Sequence, residues 1–336
     1  MTDGTPGLQA RAQAWSRYWR RGVRHSCPGS FSEHYGQATQ AFWRECFAGV
    51  SGDDRVVELG CGNGSLIRWF AQAARCWPQA IDAVDLAELD DTWLAQLPAG
   101  LRQRVRLHPR TPATGLPAAD ASINQLWSQY ALEYFADEDG WAFLRRVLAP
   151  RATLAAIVHH RASLPARVAD AERVDAEWLL RADGPLDQAA TVLPWLAMSE
   201  DPARRTQRDA DPHAAAARQR FNAAFAEVAE RIEATAFPDL LRDTAERVMR
   251  ILRTASAGHV RQATSALQAL RADLADNQLR VAELVDCALD RDGIQAWAQR
   301  LGQMGFTAVD IGEIQEQGQL FGWRLVARRG AVQGET

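Results

Sequence analysis

Lysine does not occur in this 336-residue chain, whose 38 basic residues are all arginine. That absence excludes a phosphate-loop lysine, a Schiff-base lysine and a kinase-type phosphate lysine. With alanine so abundant, coding bias explains it more simply than function does. Cysteine is sparse and scattered: Cys27, Cys46, Cys61, Cys76 and Cys287 are odd in number and form no Cys-x-x-Cys. Their spacing argues against a disulfide framework and against a zinc site. The seven histidines include one adjacent pair, His159-His160, but no His-x-x-x-His, so no metal centre is expected. No 18-residue apolar run and no charged-then-apolar N-terminal segment is found, and the expectation is a cytoplasmic protein that does not enter a membrane. The net charge of −4 and pI of about 6.0 come from arginines interspersed among carboxylates. Without a long basic stripe, no nucleic-acid partner is expected.

The most informative stretch runs from Arg55 to Phe70. A short apolar strand (Val56, Val57) leads through Glu58 into Gly60-Cys61-Gly62-Asn63-Gly64, and an amphipathic helix follows (Ser65, Leu66, Ile67, Trp69, Phe70). A strand that stops in a glycine loop and restarts as a helix brings unpaired backbone N–H groups against a ligand. The spacing is Gly-x-Gly-x-Gly, without the further offset of the dinucleotide fingerprint, and it argues for a nucleoside ligand that need not carry a pyrophosphate. Asp85 lies 21 residues past Gly64, at the end of a second apolar run (Ala80, Ile81, Ala83, Val84). An acidic residue there is placed to accept hydrogen bonds from a ribose diol.

Val57-Glu58-Leu59-Gly60-Cys61-Gly62-Asn63-Gly64 and Ala83-Val84-Asp85-Leu86 resemble the first two motifs of class I S-adenosylmethionine-dependent methyltransferases. Leu116 to Ile123 and Ser128 to Tyr134 resemble that family's approach to, and exit from, its fourth strand. Gly305-Phe306 through Leu325 is similar to its terminal antiparallel strand pair. The resemblance covers roughly residues 35–160 and 293–329 and leaves a long middle segment outside it.

The resemblance implies S-adenosylmethionine as cofactor, with Glu58, Gly60, Cys61, Gly62, Gly64, Asp85 and Leu86 around it. It also implies that Tyr35, just ahead of the first motif, reaches the methionine end. The family places an acidic residue four positions before the Leu-Pro pair to bind the adenine amino group. Here that position is Pro112, so the contact falls to Arg110, Thr111 or Thr114, to backbone, or is absent. A usual aspartate at strand four is Asn124. Thr111, and Ser128 and Gln129 at the carboxyl end of that strand, are also implied as cofactor contacts, and the acceptor site commonly begins just after the strand, at Gln129, Tyr130 and Glu133.

Periodicity organises the rest. Residues 9–47 carry eight aromatics, with Trp15, Tyr18 and Trp19 at helical spacing and Phe42, Trp43 and Phe47 within a turn or so. Two amphipathic helices packing on the domain are favoured over a ligand-lining role. The turn-rich break His25–Phe31 between them has the composition of a lid. Strands are expected at Arg55–Leu59, Ala80–Val84, Val105–His108, Ile123–Ser128 and Thr153–Val158, and a last pair at Thr307–Ile311 and Leu320–Ala327. Helices are expected at Ser65–Cys76, at Asp91–Leu97 capped by Asp90 or Asp91, and after an Asp292 cap. Alternating strands and helices imply a Rossmann-like α/β fold: a seven-stranded, mostly parallel sheet with helices on both faces. From about Ala162 to Asp290 the pattern is helical throughout, an all-helical insertion between strands five and six.

The expected organisation is therefore N-terminal aromatic-rich helices over residues 1–50, a cofactor-binding core over 51–161 and 291–329, the insertion over 162–290, and a disordered tail over 330–336. The insertion's apolar faces must pack on itself, on the core or on another copy of the chain, as in a homodimer. Candidate groups for chemistry are His159 and His160, which a strand would point to opposite faces, with Tyr130 and Glu133 after strand four. Glu133 equally suits a cap for the helix that follows. The leading expectation is metal-independent, in-line methyl transfer to a small-molecule acceptor. Two alternatives stay open: a nicotinamide-dependent dehydrogenase, and a non-catalytic protein of this fold that binds a partner through the insertion.

Overall fold

The computed structural model describes residues 7–23, 26, 36–199, 201–256 and 258–330. Two compact units make up the chain, one from Met1–Arg167 with Glu283–Thr336 and one from Val168–Ala282. Among the described residues no helix is long and apolar enough to cross a membrane. Of the lid-like break expected over 25–31 only Ser26 is described, and of the tail expected over 330–336 only Gly330; the rest of both lies outside the described residues.

The first unit runs α1 (Leu8–Trp19), α2 (Gln37–Ala48), β1 (Arg55–Leu59), α3 (Ser65–Ala73), β2 (Ala80–Val84), α4 (Ala99–Arg102), β3 (Val105–His108), β4 (Ile123–Gln129), α5 (Glu138–Val147) and β5 (Leu148–Val158). The helices α6 (Leu164–Leu180), α7 (Pro185–Leu196), α8 (Pro202–Ala210), α9 (Pro212–Ala234), α10 (Asp239–Ser256) and α11 (Val260–Cys287) follow, and then α12 (Arg291–Gln303), β6 (Phe306–Glu316) and β7 (Gln319–Arg329). The strand order is β3-β2-β1-β4-β5-β7-β6, the first five parallel and β7 antiparallel to both neighbours. This is the Rossmann-like sheet with a terminal antiparallel pair that the motifs imply.

Alternation along the central strands builds two cores. Val56, Ile81, Trp127 and Ala155 face α2 and α3 through Phe42, Trp43, Phe47, Leu66, Ile67 and Phe70. Val57, Leu59, Leu126, Leu154 and Ala156 face α5 and α12 through Trp141, Leu144, Ile294, Trp297 and Leu301. A parallel sheet covered on both faces has near-continuous apolar strands, and β1 is buried from Val56 to Leu59. Glu58 is the one charged side chain in that run, which makes its position at the strand end notable.

Several boundaries differ from the sequence expectation for identifiable reasons. β5 begins at Leu148 because Leu148 pairs with Ile123 across a register shift, which lodges Pro150 in an irregular stretch where its missing N–H costs no ladder bond. β6 and β7 each run to eleven residues, joined by Gln317 and Gly318 with φ of 51° and 77°. Positive φ at both central residues is the signature of a type I′ hairpin loop. Helix α3 stops at Ala73, and the expected helix over 91–97 is a 3-10 turn, Thr92–Gln96, with the Thr92 N–H donating to Asp90 Oδ1 at 2.8 Å. Pro78 and Pro98 downstream each push the chain toward extended geometry. The N-cap of α12 is Asp290, which accepts from the Gly293 N–H at 2.9 Å, rather than Asp292.

The second unit has its own core. Leu179, Leu186, Val192, Leu193, Val228, Leu241, Val248, Leu252, Leu267, Leu270 and Leu274 are buried together. Asp201 and Asp211 cap α8 and α9 just ahead of Pro202 and Pro212, each proline being tolerated in the first turn. The first turn of α6 and the last of α11 cluster with the sheet.

One contact closes the first unit on itself. Helix α2 has no side-chain cap of its own, and Glu316 at the end of β6 accepts from the Thr39 N–H at 2.8 Å and the Ala38 N–H at 3.3 Å. A carboxylate on a helix N-terminus satisfies orphan donors and complements the dipole. Glu316→Ala is expected to cost about 2 kcal/mol, the range for hydrogen bonds to a charged group. Urea denaturation of variant and parent should show the midpoint falling at unchanged slope.

Candidate functional site

The carboxyl ends of the parallel strands open into a cleft with about 1030 Å³ of empty space, counted out into its mouth. Ligands in such sheets bind at this end. The glycine loop forms one wall. The Gly60 and Cys61 N–H groups donate to the Val84 carbonyl at 2.8 and 3.1 Å, stitching the loop to β2. Gly60 has φ of +71°, and a Cβ there would stand 2.2 Å from that of Ala131, so no other residue fits.

Asp85 lines the cleft, and both its carboxylate oxygens bond to backbone. Oδ2 accepts from the Gly62 N–H at 2.9 Å and Oδ1 from the Ala87 N–H at 2.8 Å. Its first task is to hold the loop against the end of β2. Each oxygen keeps a further lone pair, which leaves room for a diol. Burial pushes its carboxyl up to about 6, against the pull of those two donors. Glu58 also lines the cleft. It is buried, its Oε2 has no hydrogen-bond partner, and burial, reinforced by Asp85, raises its carboxyl well above the usual range. Two acidic groups thus share one low-dielectric wall.

Helix α1 contributes a second wall through Leu8, Arg11, Trp15 and Trp19, one face of the helix. It is tied down along its length. The Asn63 side chain donates to the carbonyls of Trp19 at 3.1 Å and Val23 at 2.8 Å. Ser16 Oγ accepts from the Glu88 N–H at 2.8 Å, and Arg11 donates to the Tyr134 carbonyl at 3.2 Å while pairing with Glu283 at 2.5 Å. The aromatic residues of the N-terminal region therefore divide: Trp15 and Trp19 line the cleft, and Phe42, Trp43 and Phe47 are core.

Of the residues singled out from sequence, Glu58, Gly60, Cys61, Asp85, Leu86, Thr111, Gln129 and Tyr130 line the cleft. Tyr35 lies outside the described residues. Gly62 and Gly64 do not line it: a Cβ on Gly62 would meet the Trp19 ring at 2.6 Å, and one on Gly64 the Trp93 ring at 2.3 Å. Ser128 is fully buried, with Oγ donating to the Leu59 carbonyl at 3.2 Å on the neighbouring strand. The Gln129 carboxamide oxygen accepts from the Trp43 indole N–H at 2.5 Å, which holds its side chain. Thr111 lies beside Pro112 and Ala113, an apolar patch where the family's adenine-binding acid is missing, whereas Arg110 turns toward Glu88 on the exterior. Asn124 accepts from the Arg55 N–H at 3.1 Å at the opposite, amino end of the sheet. Its departure from the family pattern does not touch the cleft.

The candidates for chemistry separate in the same way. His160 stacks on Trp323 at 4.3 Å, and its Nδ1 accepts from the Ala162 N–H, away from the cleft. His159 points to the other face, as alternation requires, but is fully buried behind Tyr130, their rings stacked at 4.5 Å. Neither ring nitrogen has a partner, and burial lowers its imidazole to about 3. Glu133 does not cap α5, a task performed by Asp137 on the Gly140 N–H. It turns inward, where Oε1 accepts from the His159 N–H at 2.7 Å. Tyr130 alone of the four lines the cleft. It has φ of +56°, and its hydroxyl donates to the Phe321 carbonyl at 3.2 Å. Sequence reasoning missed Leu8, Arg11, Asn63, Tyr134 and Phe135. The spacing of Leu8, Arg11, Trp15 and Trp19 on one helical face was the available signal.

Burial raises the Glu133 carboxyl from 4.5 to about 7. A carboxyl raised in the folded state stabilises the protein fully below its unfolded pKa, and that stability is lost as pH rises through about 7. Glu133→Gln keeps the acceptor for the His159 N–H and cannot ionise. Its stability relative to the parent should therefore increase across pH 4.5 to 7, by about 3 kcal/mol at most. Paired urea melts at pH 4 and pH 8 check this, and an equal difference at both would contradict it.

No family model and no curated protein matches the sequence. Among solved structures, a geranyl diphosphate methyltransferase in complex with GPP and sinefungin is similar at 17% identity and TM-score 0.35, over 45% of this chain and 66% of that one. The geranyl diphosphate C-methyltransferase of Streptomyces coelicolor A3(2) is similar at 14% identity and TM-score 0.36, over 48% and 67%. An S-adenosylmethionine dependent methyltransferase of Mesorhizobium loti is similar at 23% identity and TM-score 0.30, over 38% and 56%. The matched part of this chain spans about two thirds of the length of the first two and less of the third, and at these scores the likeness assigns no activity to it. The sheet order and the glycine loop at the end of β1 themselves give this chain a Rossmann-like α/β fold.

Proposed function

We propose that the chain is an S-adenosylmethionine-dependent methyltransferase acting on a small-molecule acceptor without a metal. The observation that carries this reading is the pairing, in one cleft, of a glycine loop with the Asp85 carboxylate and the Glu58 carboxyl, whose Oε2 has no hydrogen-bond partner. Buried acidic groups favour a cationic ligand, and a sulfonium with an α-ammonium is one. A nicotinamide dinucleotide would instead need its pyrophosphate held by the further-offset glycine of the dinucleotide fingerprint, which the Gly60-Cys61-Gly62-Asn63-Gly64 spacing does not supply. The Asp85 lone pairs suit a ribose diol, and Leu86, Thr111, Pro112 and Ala113 suit the flat face of a base.

Held by the glycine loop, Glu58 and Asp85, S-adenosylmethionine would supply an electrophilic methyl group and leave the carbon–sulfur electron pair on sulfur as a neutral thioether, with the acceptor's proton released to water at the open mouth of the cleft. A neutral leaving group needs no Lewis acid. The chain's own part is alignment and exclusion of water. Helix α1 and the glycine loop enclose the cleft. Tyr130 positions whatever lies beyond the cofactor, and His159 and Glu133 support Tyr130 from behind.

S-adenosylhomocysteine and S-adenosylmethionine are expected to raise the melting temperature by a few degrees, the equivalent of about 2.7 kcal/mol at a hundredfold excess over Kd. NAD and NADP should leave it unchanged. A shift with NAD and none with S-adenosylhomocysteine would overturn the reading.

A further inference from the structure

The cleft also has an aromatic corner, to which none of the residues assigned to the cofactor belongs. Trp15 from α1 and Tyr134 from the 3-10 turn Leu132–Tyr134 meet at 90° with ring centroids 6.2 Å apart. Trp15 also stacks on Trp19 at 6.0 Å and 23°, which continues the apolar wall back toward the loop. Tyr130 is a neighbour of this corner, since it and Tyr134 both pack on the His159 ring, at 4.5 and 6.4 Å, and Phe135 also lines the cleft. A flat ring seated against two perpendicular aromatics lies face-on to one and edge-on to the other, the two arrangements that aromatic quadrupoles prefer.

Charge narrows the class further. The cleft's acidic groups, Glu58 and Asp85, sit at the ends of β1 and β2, and among the described residues no carboxylate lines the corner. A cation seated there would stand beside the Arg11 guanidinium, whose described counter-charge, Glu283, is already paired with it. Among the described lining residues an anion would have only Arg11, which is already engaged by Glu283 and the Tyr134 carbonyl. The corner therefore suits a neutral ligand. We infer that Trp15, Tyr130 and Tyr134 form the acceptor subsite, and that the acceptor is an uncharged planar aromatic molecule bearing a hydroxyl or ring N–H. The inference rests on the methyltransferase reading for the word acceptor, and on the ring geometry for the ligand class.

The test is saturation-transfer NMR on the full chain saturated with S-adenosylhomocysteine, with indole and 1-naphthol as probes. Cyclohexanol, 1-naphthoate and benzyltrimethylammonium serve as non-aromatic, anionic and cationic controls. Indole and 1-naphthol should bind at least tenfold more tightly than each control. Trp15→Ala and Tyr134→Ala should each weaken 1-naphthol at least tenfold, and Trp15→Phe and Tyr134→Phe should restore most of the loss. S-adenosylhomocysteine affinity, measured separately by calorimetry, should change less than threefold in the two phenylalanine variants. If S-adenosylhomocysteine binds and the neutral aromatics bind no better than the controls, or are displaced by it, the subsite assignment is wrong and the cofactor reading stands. Tighter binding of either charged probe would overturn the neutral class. Failure of S-adenosylhomocysteine itself to bind would remove the methyltransferase reading, and the acceptor role with it.

Discussion

The Asp85 carboxylate is the interaction on which the site depends. By accepting from Gly62 and Ala87 it clamps the glycine loop to the end of β2, while the Gly60 and Cys61 N–H groups reach the Val84 carbonyl of the same strand. The loop can then be neither longer nor bulkier. Gly60 abuts Ala131, and the Trp19 and Trp93 rings close over Gly62 and Gly64. Asn63, carried on the clamped loop, in turn fixes the end of α1. Clamp, loop and helix form a single hydrogen-bonded series, so the wall that α1 presents is positioned by a carboxylate two elements away.

The same arrangement explains why chemistry-bearing side chains are present but withdrawn. Glu133 and His159 sit at the ends of strands that point at the cleft, yet the left-handed turn at Tyr130 swings its ring across the His159 imidazole. A buried imidazole without partners stays neutral, and a buried carboxyl near 7 is as easily protonated as not. Both are therefore well suited to support an aromatic wall, which a permanently charged group would destabilise.

Much of the fold was legible in the sequence because β1 and β2 are short, largely apolar and end at Gly60 and Asp85, and β3 is stopped by Pro109. β1, β2 and β3 have the bounds their patterns suggest. The terminal hairpin was read short because Gln317-Gly318 is not one of the strongest turn pairs, and β5 was read short because Pro150 disguises a strand that tolerates it at a register shift. In the site, the cofactor end followed from local spacing, since loop and strand tip are close in sequence. The corner did not, because Arg11, Tyr134 and Glu283 meet only in the folded chain and no periodicity couples them. Ser128 and His160 were misplaced for another reason: a residue at a strand's carboxyl end is near the cleft, but the pleat decides whether its side chain enters it.

Strand order has a consequence for vectorial synthesis. β5 is flanked in the finished sheet by β4 and β7, and the helical unit and β6 intervene in the chain before β7 emerges. At the usual pace of translation that interval is roughly 10–30 s, during which an eleven-residue, largely buried strand presents an open edge. The helical unit, with a core of its own, is free to fold in that interval while the sheet waits. Because β7 must then pair on both sides at once, and Glu316 must reach α2, the nascent sheet is completed from its C-terminal end. A chaperone acting on this chain would find its target in the open edge of β5, and a ribosome stalled within the helical segment would hold that edge exposed.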